Sequence, residues 1–167
     1  AYTIYVIGYL LFKEWLKLKI PDNNEYLLFG GTFLLSNKMQ FVGDRFVEGL
    51  STKQWFLLRN LADLPKDPPP TITTLAKVMD SSRQNIVKML DNMEREGFVR
   101  ISINEKDHRQ RCIFITELGS SQLKKVSENA KTFLEKLYLN IDSNELDVAG
   151  KVMLKMFQNL QDMQNEL

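Results

Sequence analysis

The stretch LAKVMDSSRQNIVKMLDNMEREGFVR, residues 75–100, decides the fold of this chain. Its apolar side chains recur at helical spacing on both sides of a polar break at residues 80–81, which predicts two helices joined by a tight turn. Ser82 is a good N-cap for the second helix, because its hydroxyl can accept a bond from a free backbone amide. That helix is predicted to run to about Glu96 and to stop at Gly97. The stretch therefore predicts a helix-turn-helix.

A β-hairpin is predicted directly after these two helices. FVRISI, residues 98–103, and RCIFIT, residues 111–116, are rich in β-branched and aromatic side chains. The residues between them concentrate acids, cations and the chain's single histidine, His108. A surface turn, a metal or catalytic cluster, and a loop that contacts nucleic acid are the three interpretations of this charged segment. The helix-turn-helix before it favours nucleic acid.

The second helix has an apolar and a polar side. A step of about 100° per residue places one set inward and another outward. The inward set is Ile86, Met89, Leu90 and Met93, and the outward set is Gln84, Lys88, Asp91 and Arg95. The first turn adds Arg83 and Asn85, and guanidinium and carboxamide groups suit the edges of guanine and adenine. Taken alone, this side is better explained as a solvated helix face.

Further helices flank this central part. Residues 25–47 keep a helical period, and Ser51 is a plausible N-cap for the helix that follows. The segment PKDPPP, residues 65–70, predicts a rigid loop, because prolines lack the backbone N–H that a helix needs. The remainder of the chain is helical by pattern, and Asp142 with Glu145 resembles a capping box.

Composition limits the class of protein. The 167 residues, 44% of them hydrophobic, suffice for one core, and the formal net charge of +1 excludes a polycationic coating protein. Because Cys112 is the single cysteine, no internal disulfide or Cys/His metal set can form. We expect a cytoplasmic protein without a metal or another cofactor.

The apolar residues 1–20 predict an extra amphipathic helix. Lys13 and Glu14 interrupt this segment well short of the ~20 residues that a membrane-spanning helix needs. It also lacks a basic leader and a small-residue cleavage site. We therefore expect no membrane association, and the helix would either pack on the domain or contact a partner.

Several short motifs occur together in a specific order. STKQWFLLRNL precedes the helix-turn-helix stretch, which is followed by DHR and then by ITELG. In this arrangement the chain resembles the multiple-antibiotic-resistance regulator (MarR) family of winged helix-turn-helix proteins. Asp107 and Arg109 fit the D-x-R of that family's wing, and residues 116–119 fit its Thr-x-x-Gly. The resemblance covers roughly residues 25–163.

The resemblance implies a mainly α-helical winged helix-turn-helix with a small β-hairpin wing and with N- and C-terminal dimerisation helices. Residues 51–116 would form the DNA-binding region, and residues 25–50 and 117–167 the helical dimerisation region. The implied function is sequence-specific transcriptional regulation, as a repressor. A homodimer would bind a pseudo-palindromic operator in double-stranded DNA, and a small-molecule effector or an oxidant would release it.

The resemblance also assigns roles by position. The recognition-helix role is carried over to Ser82, Arg83, Gln84, Asn85 and Lys88. The wing role is carried over to Asp107 and Arg109: the arginine would enter the minor groove, and the aspartate would orient its guanidinium through a charge-assisted pair. Val87 departs from the family, which often has a polar residue there, and the prolines at 68–70 are also unusual.

Four competing interpretations remain. His108 with Asp107 suggests acid–base catalysis, but the pair is predicted on an exposed loop without a nucleophile beside it, so we expect no enzyme. Cys112 near two arginines suggests a redox sensor, although its strand position favours a buried structural residue. A winged helix that binds only proteins would leave Arg83 and Arg109 dispensable. A ligand pocket is the fourth, although core packing explains its candidate residues better: Tyr26, Phe29, Phe33, Trp55 and Phe133.

Overall fold

The computed structural model describes residues 23–104 and 107–166. Over these residues the chain forms six helices and one two-stranded antiparallel sheet, which confirms the predicted mainly α-helical fold with a small hairpin. The elements are α1 (Asn24–Gly43), α2 (Thr52–Asp63), α3 (Ile72–Val78), α4 (Arg83–Arg95), β1 (Val99–Ile103), β2 (Arg111–Ile115), α5 (Glu117–Leu137) and α6 (Ser143–Glu166). The predicted helix over residues 1–20 lies outside the described residues.

Polar caps begin the three helices of the central part. Ser51, Thr71 and Ser82 each accept a bond from a backbone amide in the first turn of α2, α3 and α4, respectively. Each cap satisfies a donor that has no partner within its helix. After α4 the chain turns at Gly97, whose φ of 78° lies in the left-handed region that favours glycine. The predicted helix-turn-helix boundaries are confirmed.

The first described helix is shorter than the sequence predicts. The helical period extends over residues 25–47, but α1 ends at Gly43. The next residue, Asp44, accepts bonds from the backbone N–H and the hydroxyl of Thr52, at 2.6 and 2.7 Å. These bonds tie the end of α1 to the start of α2. A Cβ atom at position 43 would lie 2.6 Å from the Thr52 hydroxyl oxygen, so glycine is needed where the two segments meet.

One hydrophobic core holds α2, α3, α4 and the hairpin together. Its fully buried side chains include Leu57, Leu58, Leu75, Ile86, Leu90, Met93, Val99 and Ile113, together with Val126 of α5. Burying an aliphatic side chain of this size contributes about 1.5–3 kcal/mol. The inward positions predicted for the second helix of the helix-turn-helix are thus confirmed, with Met89 only partly buried against the core.

The hairpin is joined to the segment before α3. β1 and β2 pair in a register that sets Ile101 opposite Ile113. On its other edge, β2 meets the end of the proline-rich loop. The Ile113 N–H donates to the Pro70 carbonyl at 2.9 Å, and the backbone of Thr71 forms an isolated β-bridge with that of Cys112. The proline-rich loop is therefore joined to the outer edge of β2 by one hydrogen bond and one isolated β-bridge.

The Thr-x-x-Gly segment seats the start of α5. The Thr116 hydroxyl donates to the Gly97 carbonyl at 2.6 Å and accepts from the Gly119 N–H at 2.9 Å. A Cβ atom at position 119 would lie 2.0 Å from the carbonyl oxygen of Phe98, closer than any side chain can approach. This pattern thus has a packing reason, because only glycine lets α5 lie against the turn that ends α4.

The chain divides into two compact units, one up to Ala130 and one from Lys131 onward. The second unit contains α6, a helix of 24 residues without a buried side chain. The predicted capping box is confirmed: Asp142 and Glu145 exchange bonds between carboxylate and backbone N–H, both at 2.9 Å. None of the helices in the described part of the chain has the length and apolar content needed to span a bilayer.

Candidate nucleic-acid interface

The start of α4 presents a row of polar side chains to solvent. Arg83, Gln84, Asn85 and Lys88 are all exposed. The Ser82 hydroxyl accepts from the Asn85 N–H at 3.2 Å, which leaves the hydroxyl proton of Ser82 available to a ligand. The opposite side of the helix is anchored in the core. This end of α4 is therefore a rigid platform with free donors.

The wing comprises β1, β2 and their connection, residues 99–115. At its tip, one Asp107 carboxylate oxygen accepts from the backbone N–H of Arg109 at 3.1 Å, and the other accepts from the Gln110 side-chain amide at 2.9 Å. The Asp107 carbonyl accepts from the Gln110 N–H at 2.9 Å. These bonds close the turn, and the side chains of His108 and Arg109 remain exposed.

The geometry of Asp107 differs from the expected pair with the Arg109 guanidinium. Both residues lie in the described part of the chain, and their side chains form no ion pair within it. The two carboxylate oxygens are already used by the backbone of Arg109 and by Gln110. An aspartate two residues before a backbone amide forms this kind of local turn readily. Asp107 consequently fixes the backbone on which Arg109 is carried, rather than its guanidinium.

A groove of about 880 Å³ lies between α3, the start of α4 and the wing. It brings together Arg83 and Arg109, which the sequence placed on separate elements. Lys77 and Arg111 also line it, and none of its described lining residues is acidic. Uncompensated cations around a concave surface raise the local concentration of anions. We call this feature the basic groove. Its lining residues are Thr71, Ile72, Thr73, Thr74, Lys77, Val78, Arg83, Val87, Arg109, Gln110 and Arg111.

Several of these groove residues were missed by the sequence interpretation. Thr73, Thr74 and Lys77 occupy exposed positions of α3. The division into an inward and an outward side that was predicted for α4 also applies to α3, and it would identify these three residues. Arg111 was considered only as a neighbour of Cys112. Of the other predicted site residues, Gln84, Asn85 and Lys88 lie outside this lining, on the exposed side of α4.

One contact holds the wing at a fixed angle to α4. The Glu94 carboxylate, in the last turn of α4, accepts from the backbone N–H of Ile101 at 2.6 Å. Beside it, the Arg100 guanidinium lies 4.9 Å from the centre of the Phe114 ring, across the hairpin. The first contact joins the last turn of α4 to β1, and the second joins the two strands of the hairpin to each other.

Residues 48–110, which include the helix-turn-helix and most of the wing, match the MarR family model. Over this segment the chain is similar to the MarR family. Its relatives include the transcriptional activatory protein BadR of Rhodopseudomonas palustris, 33% identical over 94 residues that span 55% of this chain and 54% of BadR. The HTH-type transcriptional repressor YetL of Bacillus subtilis is 28% identical over 83% of this chain and 84% of YetL. The chain thus spans about half the length of BadR but most of YetL.

Solved MarR-family structures share the fold. The S. aureus MepR–DNA complex matches with a TM-score of 0.73 at 19% identity, over 83% of this chain and 98% of MepR. A mutant of E. coli MarR in complex with operator DNA matches with a TM-score of 0.70 at 18% identity, over 80% of this chain and 96% of that one. At these identities the matches establish that this chain has the winged helix-turn-helix fold.

The alternative sites that the sequence offered have little structural support. His108 is exposed on the wing tip, and the Asp107 beside it is engaged in the turn, so the pair has no enclosed pocket in which to act. Cys112 is 2% exposed and packs as a small core residue. In residues 23–104 and 107–166 no group of three or more His, Cys, Asp or Glu side chains can hold a metal ion.

The aromatic residues weighed as a ligand pocket divide into two groups. Tyr26, Phe29 and Phe33 on α1 are each at least 60% exposed, so the expectation that they are core residues is wrong for a single chain. Trp55 packs against the core, and Phe133 is buried. Because the rings of Tyr26, Phe29 and Phe33 lie in solvent, these three residues indicate an apolar contact surface on α1.

Proposed function

We propose that this chain is a sequence-specific DNA-binding transcriptional regulator that acts as a homodimer on a pseudo-palindromic operator. The observation that carries the proposal is the basic groove. Arg83 from α4 and Arg109 from the wing face one concave surface together with Lys77 and Arg111, and none of the described lining residues is acidic. A phosphate backbone running through the groove would be bound by Lys77 and Arg111, while Arg83 and Arg109 would reach into the DNA grooves on either side of it.

In this proposal α4 is the recognition helix and enters the major groove. Its exposed first turn offers the side chains that suit base edges, namely Arg83, Gln84 and Asn85, while Ser82 and Lys88 reach the phosphates on either side. Val87 lines the basic groove and is half-buried. An apolar side chain at this position favours contact with a thymine methyl group over a hydrogen bond.

The wing would lie along the duplex and insert Arg109 into the minor groove. An arginine there reads the width of the groove and its negative potential. Asp107 supports this role through the turn that it closes. Thr73, Thr74 and Lys77 on α3 would contact the phosphates between the two grooves, because they are exposed beside Arg83 and Arg109.

The homodimer would be built by the helices outside the winged helix, over residues 25–50 and 117–167, while residues 51–116 bind DNA. On α1, Phe29, Phe33 and Phe41 are 60–65% exposed, and on α6 Leu154 is 71% exposed. Apolar rows of this length mark a surface that is covered by a partner. A second copy of the chain would cover it symmetrically and present two recognition helices to a two-fold site.

We propose that the protein represses transcription. A bound dimer represses by occupying its operator, whereas activation requires an additional contact with the transcription machinery. The relatives include both an activator and a repressor, since BadR is named a transcriptional activatory protein and YetL a transcriptional repressor. Release by a small-molecule effector or an oxidant belongs to the same proposal. The deep burial of Cys112 favours a small molecule over direct oxidation of this thiol.

The experiment that tests this function is selection of DNA by the purified chain from a random pool, followed by sequencing. We expect enrichment of a two-fold symmetric site whose half-sites lie about one helical turn apart. The Arg83→Ala/Arg109→Ala variant serves as the control and should enrich no sequence. If the unsubstituted chain enriches none either, the proposal fails, and a winged helix that binds proteins is the better interpretation.

A further inference from the structure

Helix α1 is apolar on two opposite sides, as a step of about 100° per residue shows. The first side, which we call the aromatic side, consists of Tyr26, Phe29 and Phe33. The second, which we call the leucine side, consists of Leu28, Gly31, Leu35 and Met39. Leu28 and Leu35 are 49% and 54% exposed. Since helices with apolar residues all round are found buried, α1 needs a cover on each side.

The leucine side has a gap near its centre. A Cβ atom at Gly31 would meet nothing within 4 Å in the described part of the chain. Glycine inside a helix is less stable than alanine, so this position carries a cost that no described neighbour explains. A large apolar side chain from another segment would fit over Gly31, with Leu28 and Leu35 on either side of it.

The segment that precedes α1 carries a matching apolar stripe in its sequence. Four large side chains at spacings of four, three and four residues share one side of the helix predicted there. They are Tyr5, Tyr9, Phe12 and Leu16. The charged residues Lys13, Glu14 and Lys17 fall outside this stripe. A helix with this pattern buries its stripe against a neighbour.

The connection between that segment and α1 is short. Pro21 disfavours helical backbone at Ile20, which ends the predicted helix there. Asn23 caps α1 from an extended backbone conformation, and its side chain accepts from the Glu25 N–H at 2.8 Å. Only residues 21–23 therefore separate the two helices. Connections of about two to five residues join helices that lie antiparallel to each other.

We propose that residues 2–20 form a helix that folds back on α1 and covers the leucine side within the same chain. A second copy would then be left to cover the aromatic side. This division between the two sides rests on the proposed homodimer. The contact between residues 2–20 and α1 is measurable without DNA.

The register of the two helices follows from the turn between them. Because both helices rise equally per residue, positions equally distant from the turn lie level with each other. The level pairs are Leu16 with Leu28, Tyr9 with Leu35, and Tyr5 with Met39. Phe12 falls opposite Gly31, where the missing side chain leaves room for the ring. The whole stripe thus meets the leucine side in one register.

The test is cross-linking of double-cysteine variants of the whole chain by bis(maleimido)ethane. Tyr9→Cys/Leu35→Cys and Leu16→Cys/Leu28→Cys join level positions and should cross-link readily. Tyr9→Cys/Asn37→Cys is the matched control, because Asn37 is exposed on the opposite side of α1 at nearly the same height. It should react about tenfold more slowly. The native Cys112 is 2% exposed and should compete little.

A mixture of isotope-labelled and unlabelled chains, refolded together, shows whether the contact lies within one chain. Mass spectrometry of the cross-linked peptides should find pairs of a single label. Mixed pairs would mean that the segment of a second copy covers the leucine side, and would overturn the proposal. Equal rates for Tyr9→Cys/Leu35→Cys and its control would overturn it as well.

A double-mutant cycle tests the gap at Gly31 without any cross-link. Gly31→Leu should lower the midpoint of urea unfolding, because the added side chain takes the place of the Phe12 ring. In a Phe12→Ala chain the same substitution should raise the midpoint, since leucine is the better helix former. A similar rise in both backgrounds would contradict the contact. A chain that selects an operator but forms no cross-link within one chain retains the proposed function and loses this helical cover.

Discussion

Helices α4 and α6 are both amphipathic, yet they leave opposite sides in solvent. In α4 the apolar residues Ile86, Leu90 and Met93 are fully buried, and its polar side is exposed. In α6 no residue is buried, and Leu154 and Phe157 are 71% and 56% exposed. A helix whose polar side faces solvent needs no partner, whereas a helix whose apolar side faces solvent needs another surface to cover that side. Under the proposed function, the exposed side of α4 would bind DNA and the exposed side of α6 would bind a second copy of the chain.

The largest effect is expected where the exposed apolar side of α6 is charged. Leu154→Asp/Phe157→Asp should leave the chain monomeric or aggregated and reduce operator affinity more than about 100-fold, because unpaired carboxylates would be buried at the dimer interface. Sedimentation and operator binding measure the two effects. Asn159→Asp, with one added charge on the polar side of α6, is the control. An unsubstituted chain that is monomeric at micromolar concentration would contradict the proposed assembly.

Alanine substitutions at two glycines test the same comparison between a packed region and an exposed one. Gly119→Ala should lower the free energy of unfolding by about 3 kcal/mol or more, because its methyl group would meet the Phe98 backbone. Gly150→Ala on α6 has nothing within 4 Å of the added carbon and should raise that energy by about 0.5–1 kcal/mol. Urea denaturation measures both. Equal effects would mean that the two regions are packed alike.

On the DNA side, Arg109→Ala should lower operator affinity by about 2 kcal/mol while dimerisation and helix content persist. The salt dependence of binding should become shallower by about one unit for each wing that engages the duplex. Arg109→Lys, which keeps the charge, should restore the salt slope but only part of the affinity. Lys131→Ala, remote in sequence from the wing, is the charge control, and a matching loss there would point to general electrostatics.

Base preference tests the exposed end of α4. Gln84→Ala or Asn85→Ala should relax selectivity at one operator position per half-site, by about 1–3 kcal/mol. Competition binding with single-base operator variants measures this effect. Unchanged selectivity would leave both side chains outside base recognition, although α4 could still bind phosphates.

The smallest effect concerns the wing turn. Asp107→Ala should weaken operator binding about three- to tenfold, even though it removes a negative charge near DNA, because Arg109 and Gln110 lose the carboxylate that holds the turn. Asp107→Asn should bind better than the alanine variant, since its amide oxygen can still accept from the Arg109 N–H. Affinities are compared across a salt series. Tighter binding by Asp107→Ala at every salt concentration would remove this positioning role.

The sequence predicted those parts of the molecule that depend on near neighbours. Ser51 and Ser82 cap their helices as expected, because a cap needs only the next three residues. The predicted pair between Asp107 and the Arg109 guanidinium was wrong, because the local turn competes with the arginine side chain for the same carboxylate oxygens. The basic groove could be predicted only in part, since it depends on the segment at Pro70 meeting Ile113 of a distant strand.

The contact between Glu94 and Ile101 also affects how the protein behaves at high concentration. A two-stranded ribbon exposes unpaired N–H groups along its outer edge, and such an edge can pair with the same strand of another molecule. In β1 the central N–H of that edge already donates to the Glu94 carboxylate. The bond therefore protects the wing against edge-to-edge aggregation, and a Glu94→Ala preparation should lose solubility on concentration before it loses its fold.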